Sequence, residues 1–294
     1  MRKGLILFAF AAVLLSSCGS SEERAAKNLL SEAQECYDKE KYDDSILLLD
    51  SISRAYPRQF EVRKEAQRLK LEVEENVQQK LIEQIGSQID TLRNELDQRK
   101  KEFKLELDNK YQVIGNYVYP TQTLEGNSNR SYLRFMLTEN GKLSMTSVFR
   151  GAKAINHYKV KLTGKEGETA ETPESRNIHT TDLGNQKVEQ ADFQIRDISS
   201  FMTFILNRET KNEDLKLEFI GNSTYTTVMT KADIVAASKT YALHKLMEDI
   251  ENLNEQIYQA EMKIKFIRMS KDKKDIKHGD LCPCCTGEEP QVAE

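Results

Sequence analysis

The chain has 294 residues, with 43 lysines and arginines against 47 aspartates and glutamates, a formal charge of −4. An acidic chain without a block of basic residues argues against a nucleic-acid partner. Its length exceeds one typical domain, so more than one folded unit is expected.

Residues 5–24 read LILFAFAAVLLSSCGSSEER. Arg2 and Lys3 precede an apolar core from Leu5 to Leu15. That core is too short to span a bilayer, which takes about 20 residues, and suits the h-region of a secretory signal. The segment Leu15-Ser16-Ser17-Cys18 resembles the lipobox of bacterial lipoproteins. The resemblance implies that residues 1–17 are removed as a signal peptide. It also implies that Cys18 becomes the acylated first residue, palmitate among its chains, on a short tether over 18–23. Two or more acyl chains give stable anchoring where one does not. The implied partner is membrane lipid, held through acylated Cys18. Aspartate does not follow the cysteine directly, which points away from inner-membrane retention and toward the outer membrane. The protein then faces the periplasm or the cell surface. No later apolar run is long enough to cross a membrane.

Residues 24–59 turn helical. Ala33, Tyr42, Ser45, Leu49, Ile52 and Pro57 fall in phase for two packed helices joined near Lys39-Glu40-Lys41, with Pro57 ending the second. This stretch resembles a single tetratricopeptide unit, with Leu29 and Cys36 standing where that family prefers aromatics. The resemblance implies a helical hairpin. One such unit needs a neighbour to bury its faces.

From 60 to 109 there is no proline, and Gly86 alone weakens a long helix. Ile82, Ile85, Ile89, Leu92, Leu96, Arg99 and Phe103 recur at alternating spacings of three and four, the seam of a coiled coil. A second such stretch, in a return helix over 231–270, carries Leu243, Leu246, Ile250, Leu253, Ile257, Ala260, Ile264 and Ile267. Run antiparallel, the two match in one register from Ile82 with Ile267 to Phe103 with Leu246. Each arm is roughly 40 Å long at helical rise. The expectation is an intramolecular antiparallel coiled coil.

Residues 110–230 differ in character, and more than half of the aromatic residues lie between Tyr111 and Tyr225. Strands are expected in YQVIGNYVYP, on both sides of Asn140-Gly141, in INHYKVKLTG, in ADFQIRDI, and on both sides of Gly221-Asn222. Residues 164–176 read as a polar surface loop. Ser199 or Ser200 is placed to cap a short helix carrying Phe201, Phe204 and Ile205. Thr230-x-x-Asp233 resembles a capping box opening the return helix. About seven or eight strands and one helix make a β-rich domain.

The four histidines, His157, His179, His244 and His278, form no metal-binding or catalytic spacing. His157, beside Tyr158 in a strand pattern, is expected at a solvent-facing or edge position. No glycine-rich phosphate loop and no nucleophile motif occurs, so no catalytic, cofactor-binding or metal-binding residue is assigned and no cofactor is expected. Residues 271–294 are expected to form a disordered tail with Cys282, Cys284 and Cys285, too closely spaced for a zinc site of their own. Outside the cytoplasm disulfides are the default. If the arms run antiparallel, the tail returns toward Cys36, and a bridge from Cys36 to one of the three is geometrically open.

The expected class is α+β: an N-terminal helical hairpin, a long antiparallel coiled coil, and an antiparallel β-rich domain inserted at the coil tip. The expected function is a non-enzymatic interaction or adaptor protein of the cell envelope that binds a protein or glycan partner. An envelope assembly scaffold working through the helical base and coil is the alternative. A cell-wall or glycan hydrolase with its site in the β domain is the second. The oligomeric state is not legible.

Overall fold

A computed structural model describes residues 18–107, 113–211 and 213–275. The chain is mixed α and β, and its described residues form five α-helices and two antiparallel sheets. It divides into two compact units, one of residues up to 88 and from 254, the other of 89–253. Two long helices run through both. Among the described residues no helix is long and apolar enough to cross a membrane. Residues 1–17, expected as a signal peptide, lie outside the described residues.

In the first unit, α1 (Cys18–Asp38) and α2 (Tyr42–Ala55) form a helical hairpin against the start of α3 (Phe60–Lys100). The helix starts at Cys18, so the residues expected as a tether are helical. Glu23 and Lys27, one turn apart, pair at 2.7 Å. α1 stops where Glu40 takes a left-handed φ of 59°. The Lys41 N–H then reaches back to the Cys36 carbonyl at 2.8 Å, a Schellman closure. Small residues set the spacing of the hairpin: Ala26 and Ala33 are fully buried, and buried Ser45 donates its hydroxyl to the Ala33 carbonyl at 2.8 Å. Leu49, Ile52, Val62, Ala66, Leu69 and Val73 complete this core. Pro57 bars its predecessor from helical backbone, and α2 ends at Ala55. The last part of α5 (Lys231–Asp275) also belongs here. Its buried Ala260, Ile264 and Ile267 lie in the same unit as Ile85, and Arg268 pairs with Glu75 at 2.7 Å.

In the second unit, one sheet has six strands in the order β1 (Lys104–Glu106), β2 (Asn116–Val118), β3 (Tyr132–Thr138), β4 (Leu143–Gly151), β8 (Lys187–Gln194), β7 (Asn177–Asp182). The other has four: β10 (Thr224–Met229), β9 (Leu215–Ile220), β5 (Lys159–Thr163), β6 (Thr169–Glu171). Alternation does the work. Leu133, Phe135, Met145, Phe149, Ala191 and Phe193 from the first sheet meet Val160, Leu162, Leu215, Leu217 and Phe219 from the second. Helix α4 (Ser199–Glu209) adds Phe201, Met202 and Ile205, and α5 adds Ile234 and Ala237.

Several expectations change. The first long helix stops at Lys100, not near 109, because Lys104–Glu106 pairs with Asn116–Val118 as β1. Phe103 anchors the break, its ring edge-on to Tyr119 at 5.5 Å and packed with Leu137, Leu143 and Leu243. The segment expected as a surface loop holds β6 and hangs on the sheet, with Ser175 N–H donating to the Tyr158 carbonyl at 2.8 Å. Strand β7, exposed along its whole length, has no apolar alternation in the sequence to mark it. Helix α4 is preceded by Ile198 and carries no side-chain cap, although Ser199 and Ser200 open it. The box at Thr230 is closed in both directions: Thr230 N–H donates to Asp233 at 3.0 Å, and Asp233 N–H to the Thr230 hydroxyl at 3.3 Å.

Candidate functional site

Two polar arrangements occupy opposite faces of the six-stranded sheet, and both were invisible along the chain. On the inner face Ser147, His157 and Glu189 are fully buried. Glu189 comes from β8, Ser147 from β4, and His157 from the segment leading into β5. One Glu189 oxygen accepts the N–H groups of Ile155 at 2.7 Å and Asn156 at 2.9 Å. The other accepts the His157 backbone N–H at 2.9 Å and faces its Nδ1 at 3.0 Å. Burial by itself would raise the Glu189 carboxyl, yet the three backbone donors and the ring outweigh it and hold it below the usual carboxylate value. Burial pushes His157 below its ordinary value, against the pull of the Glu189 carboxylate, and so favours the neutral ring. With Nδ1–H given to the carboxylate, Nε2 accepts the Ser147 hydroxyl at 2.8 Å.

The order hydroxyl, imidazole, carboxylate is that of a hydrolase triad. Access decides otherwise. All three residues are sealed, and the rings of Phe149 and Phe219 stand edge-on to His157 at 6.2 and 5.2 Å. A carbonyl substrate has no path to Ser147. The network therefore ties one sheet to the strand entering the other. His157 is an internal residue, contrary to the solvent-facing or edge position its strand pattern suggested.

On the outer face the register lines up Arg134, Thr146, Asp192 and Asn177 as one row across β3, β4, β8 and β7. Thr146 donates to one Asp192 oxygen at 2.6 Å and Asn177 donates to the other at 2.8 Å. The next row brings Met136, Ser144 and Gln194 together. Thr146, Asp192 and Asn177 with Met136, Ser144 and Gln194 floor a cleft of about 830 Å³ whose rim is the segment from Pro173 to Arg176 on one side and Arg196 and Asp197 on the other. The rim is pinned: the Ser175 hydroxyl donates to the Asp192 carbonyl at 2.8 Å. A carboxylate carries about four acceptor positions, so Asp192 keeps capacity beyond its two internal donors. Hydroxyls, amides and a carboxylate under mixed rim charges suit a neutral, hydroxyl-rich or peptide ligand.

Cys18 opens α1. The half-buried Cys36 forms no disulfide among the described residues, while Cys282, Cys284, Cys285 and His278 lie outside them. Among the described residues no cluster of His, Cys, Asp or Glu is placed to hold a metal ion. No local sequence motif marks the cleft. Its only local trace is the alternation of polar Ser144, Thr146, Asp192 and Gln194 with core residues on β4 and β8.

No protein-family model matches the chain, and comparison with curated proteins and with solved structures returned no match.

Proposed function

We propose that this chain is a lipid-anchored protein of the cell envelope that works by binding rather than by catalysis. In this reading Cys18 carries the acyl chains, and the cleft over β4, β8 and β7 takes a protein or glycan partner. The observation that carries it is the contrast between the two faces of one sheet. The accessible face offers hydroxyls, amides and a carboxylate with no histidine or cysteine among the residues lining the cleft, whereas the triad-like set is sealed.

The finer architecture belongs to the same reading. The hairpin α1–α2 is a tetratricopeptide-like unit, and α3 and α5 form an antiparallel coiled coil into which the β-rich unit is inserted. Supporting it are the matched seam spacings, the burial of Ile85, Ile264 and Ile267 in one unit, and the burial of Leu243, Leu246 and Ile250 in the other.

The test is a crosslinking pull-down from native membranes with the intact chain and with Asp192→Leu/Asn177→Leu. Loss of a specific partner in the double variant supports the cleft reading. Retention of that partner overturns it. If a chain with residues 111–230 replaced by a short turn also retains the partner, the helical parts do the binding, as in an assembly scaffold.

A further inference from the structure

The last five turns of α5 present an apolar stripe that faces away from its own core. Tyr258, Met262, Phe266 and Met269 are 53%, 42%, 71% and 50% exposed. At helical spacing they fall within an arc of about 80°, opposite buried Ala260, Ile264 and Ile267. Their orientation is held by α3, whose Glu75 pairs with both Arg268 and Lys271. Those two cations pull the Glu75 carboxyl below its ordinary value, Lys271 first.

The charge around the stripe runs against the rest of the molecule. From Tyr258 to Lys271 the helix carries Lys263, Lys265, Arg268 and Lys271 against Glu261, and with Glu75 of α3 shared by Arg268 and Lys271 an excess of two positive charges remains, in a chain whose formal charge is −4. Lys263 and Lys265 are exposed and form no ion pair among the described residues. A helix with an exposed apolar stripe and basic flanks lies in the interface of an anionic bilayer, with the apolar side chains in the acyl boundary and the cations at phosphates. A second copy of the same face would bring like charges together, and a neutral partner would leave them unused.

We infer that this face of α5, from Tyr258 to Met269, docks on an anionic phospholipid surface. This contact is separate from acylation at Cys18, and the unacylated protein tests it. The chain from residue 18, carrying Cys18→Ser, is floated with vesicles of phosphatidylglycerol and phosphatidylethanolamine, and separately with phosphatidylcholine vesicles. Binding is expected to the first vesicles and not to the second, and to weaken as salt rises. Met262→Glu/Phe266→Glu is expected to lower binding at least about tenfold, and Lys263→Glu/Lys265→Glu to do the same.

All four side chains are exposed, and circular dichroism checks that the helix persists. Phe266→Ser serves if the acidic pair unfolds it. Failure of the parent chain to float with phosphatidylglycerol vesicles overturns the inference. So does unchanged binding by the Phe266 variants. A dimer seen by light scattering without vesicles, and lost in Phe266→Ser, assigns the face to a second copy instead. None of these outcomes bears on whether Cys18 is acylated.

Discussion

Glu189 and His157 meet twice: the carboxylate accepts the His157 backbone N–H at 2.9 Å and lies 3.0 Å from its ring Nδ1. Both residues are fully buried, and with Ser147 they bind β4 and β8 to the chain entering β5. A buried charge with every donor in place is stabilising only while the set is complete.

Glu189→Ala leaves three backbone donors and the imidazole without an acceptor. We expect a loss of about 3–5 kcal/mol, the range for breaking a buried charged network. Urea unfolding of the parent and variant chains measures it. A loss below about 1 kcal/mol would show that water or rearranged backbone replaces the carboxylate.

The same pair sets a pH dependence. Both groups have folded values depressed below their ordinary ones. The unfolded chain therefore takes up protons first as pH falls, and stability declines. For His157 the decline begins near the ordinary histidine value of about 6.5, and for Glu189 near about 4.3. The urea midpoint should fall on acidification from neutral pH in two stages. His157→Gln should be weaker at neutral pH and should lack the first stage.

Gly221 has no room for a side chain. A Cβ there would lie 2.3 Å from the Ile155 carbonyl oxygen and 2.6 Å from that of Asn156. Asn156 itself holds a left-handed φ of 51°, so the backbone it abuts has little freedom to move. Gly221→Ala should destabilise by about 1–3 kcal/mol, as other overpacking does. Thermal melts with matched urea curves check it, and an unchanged midpoint would contradict the close approach.

Gln122 stands in for a missing strand. Its amide donates to the Leu133 carbonyl at 2.9 Å and accepts the Phe135 N–H at 2.8 Å, on the stretch of β3 that β2 does not reach. Gln122→Ala strands two buried backbone groups and should cost about 2–4 kcal/mol, at about 1–3 kcal/mol for each unsatisfied group with partial relief from water. Amide exchange at Phe135 should accelerate by the same free energy. Slow exchange in the variant would show that another acceptor takes over.

The sequence alone carried whatever is encoded by neighbours. Alternating apolar residues around Asn140-Gly141 name a hairpin, and β3 and β4 are there, with Gly141 at a φ of 82°. Thr230 and Asp233 name a helix start because a capping box closes within four residues. The spacing of Ala33, Ser45, Leu49 and Ile52 names a helical hairpin because each turn repeats its face. What only the tertiary structure decided depends on partners far along the chain. Lys104–Glu106 left the helix for a strand because Asn116–Val118 offered a ladder, and no local signal forbade either state. β7 went unseen because its exposed residues lack an apolar face, and its order comes from pairing with β8. His157 looked like an edge residue until Glu189, 32 positions later, supplied the acceptors that make its burial affordable. The cleft arose in the same way. Thr146, Asp192 and Asn177 become neighbours only once β4, β8 and β7 pair, since strand register sets side chains from separate segments directly opposite one another.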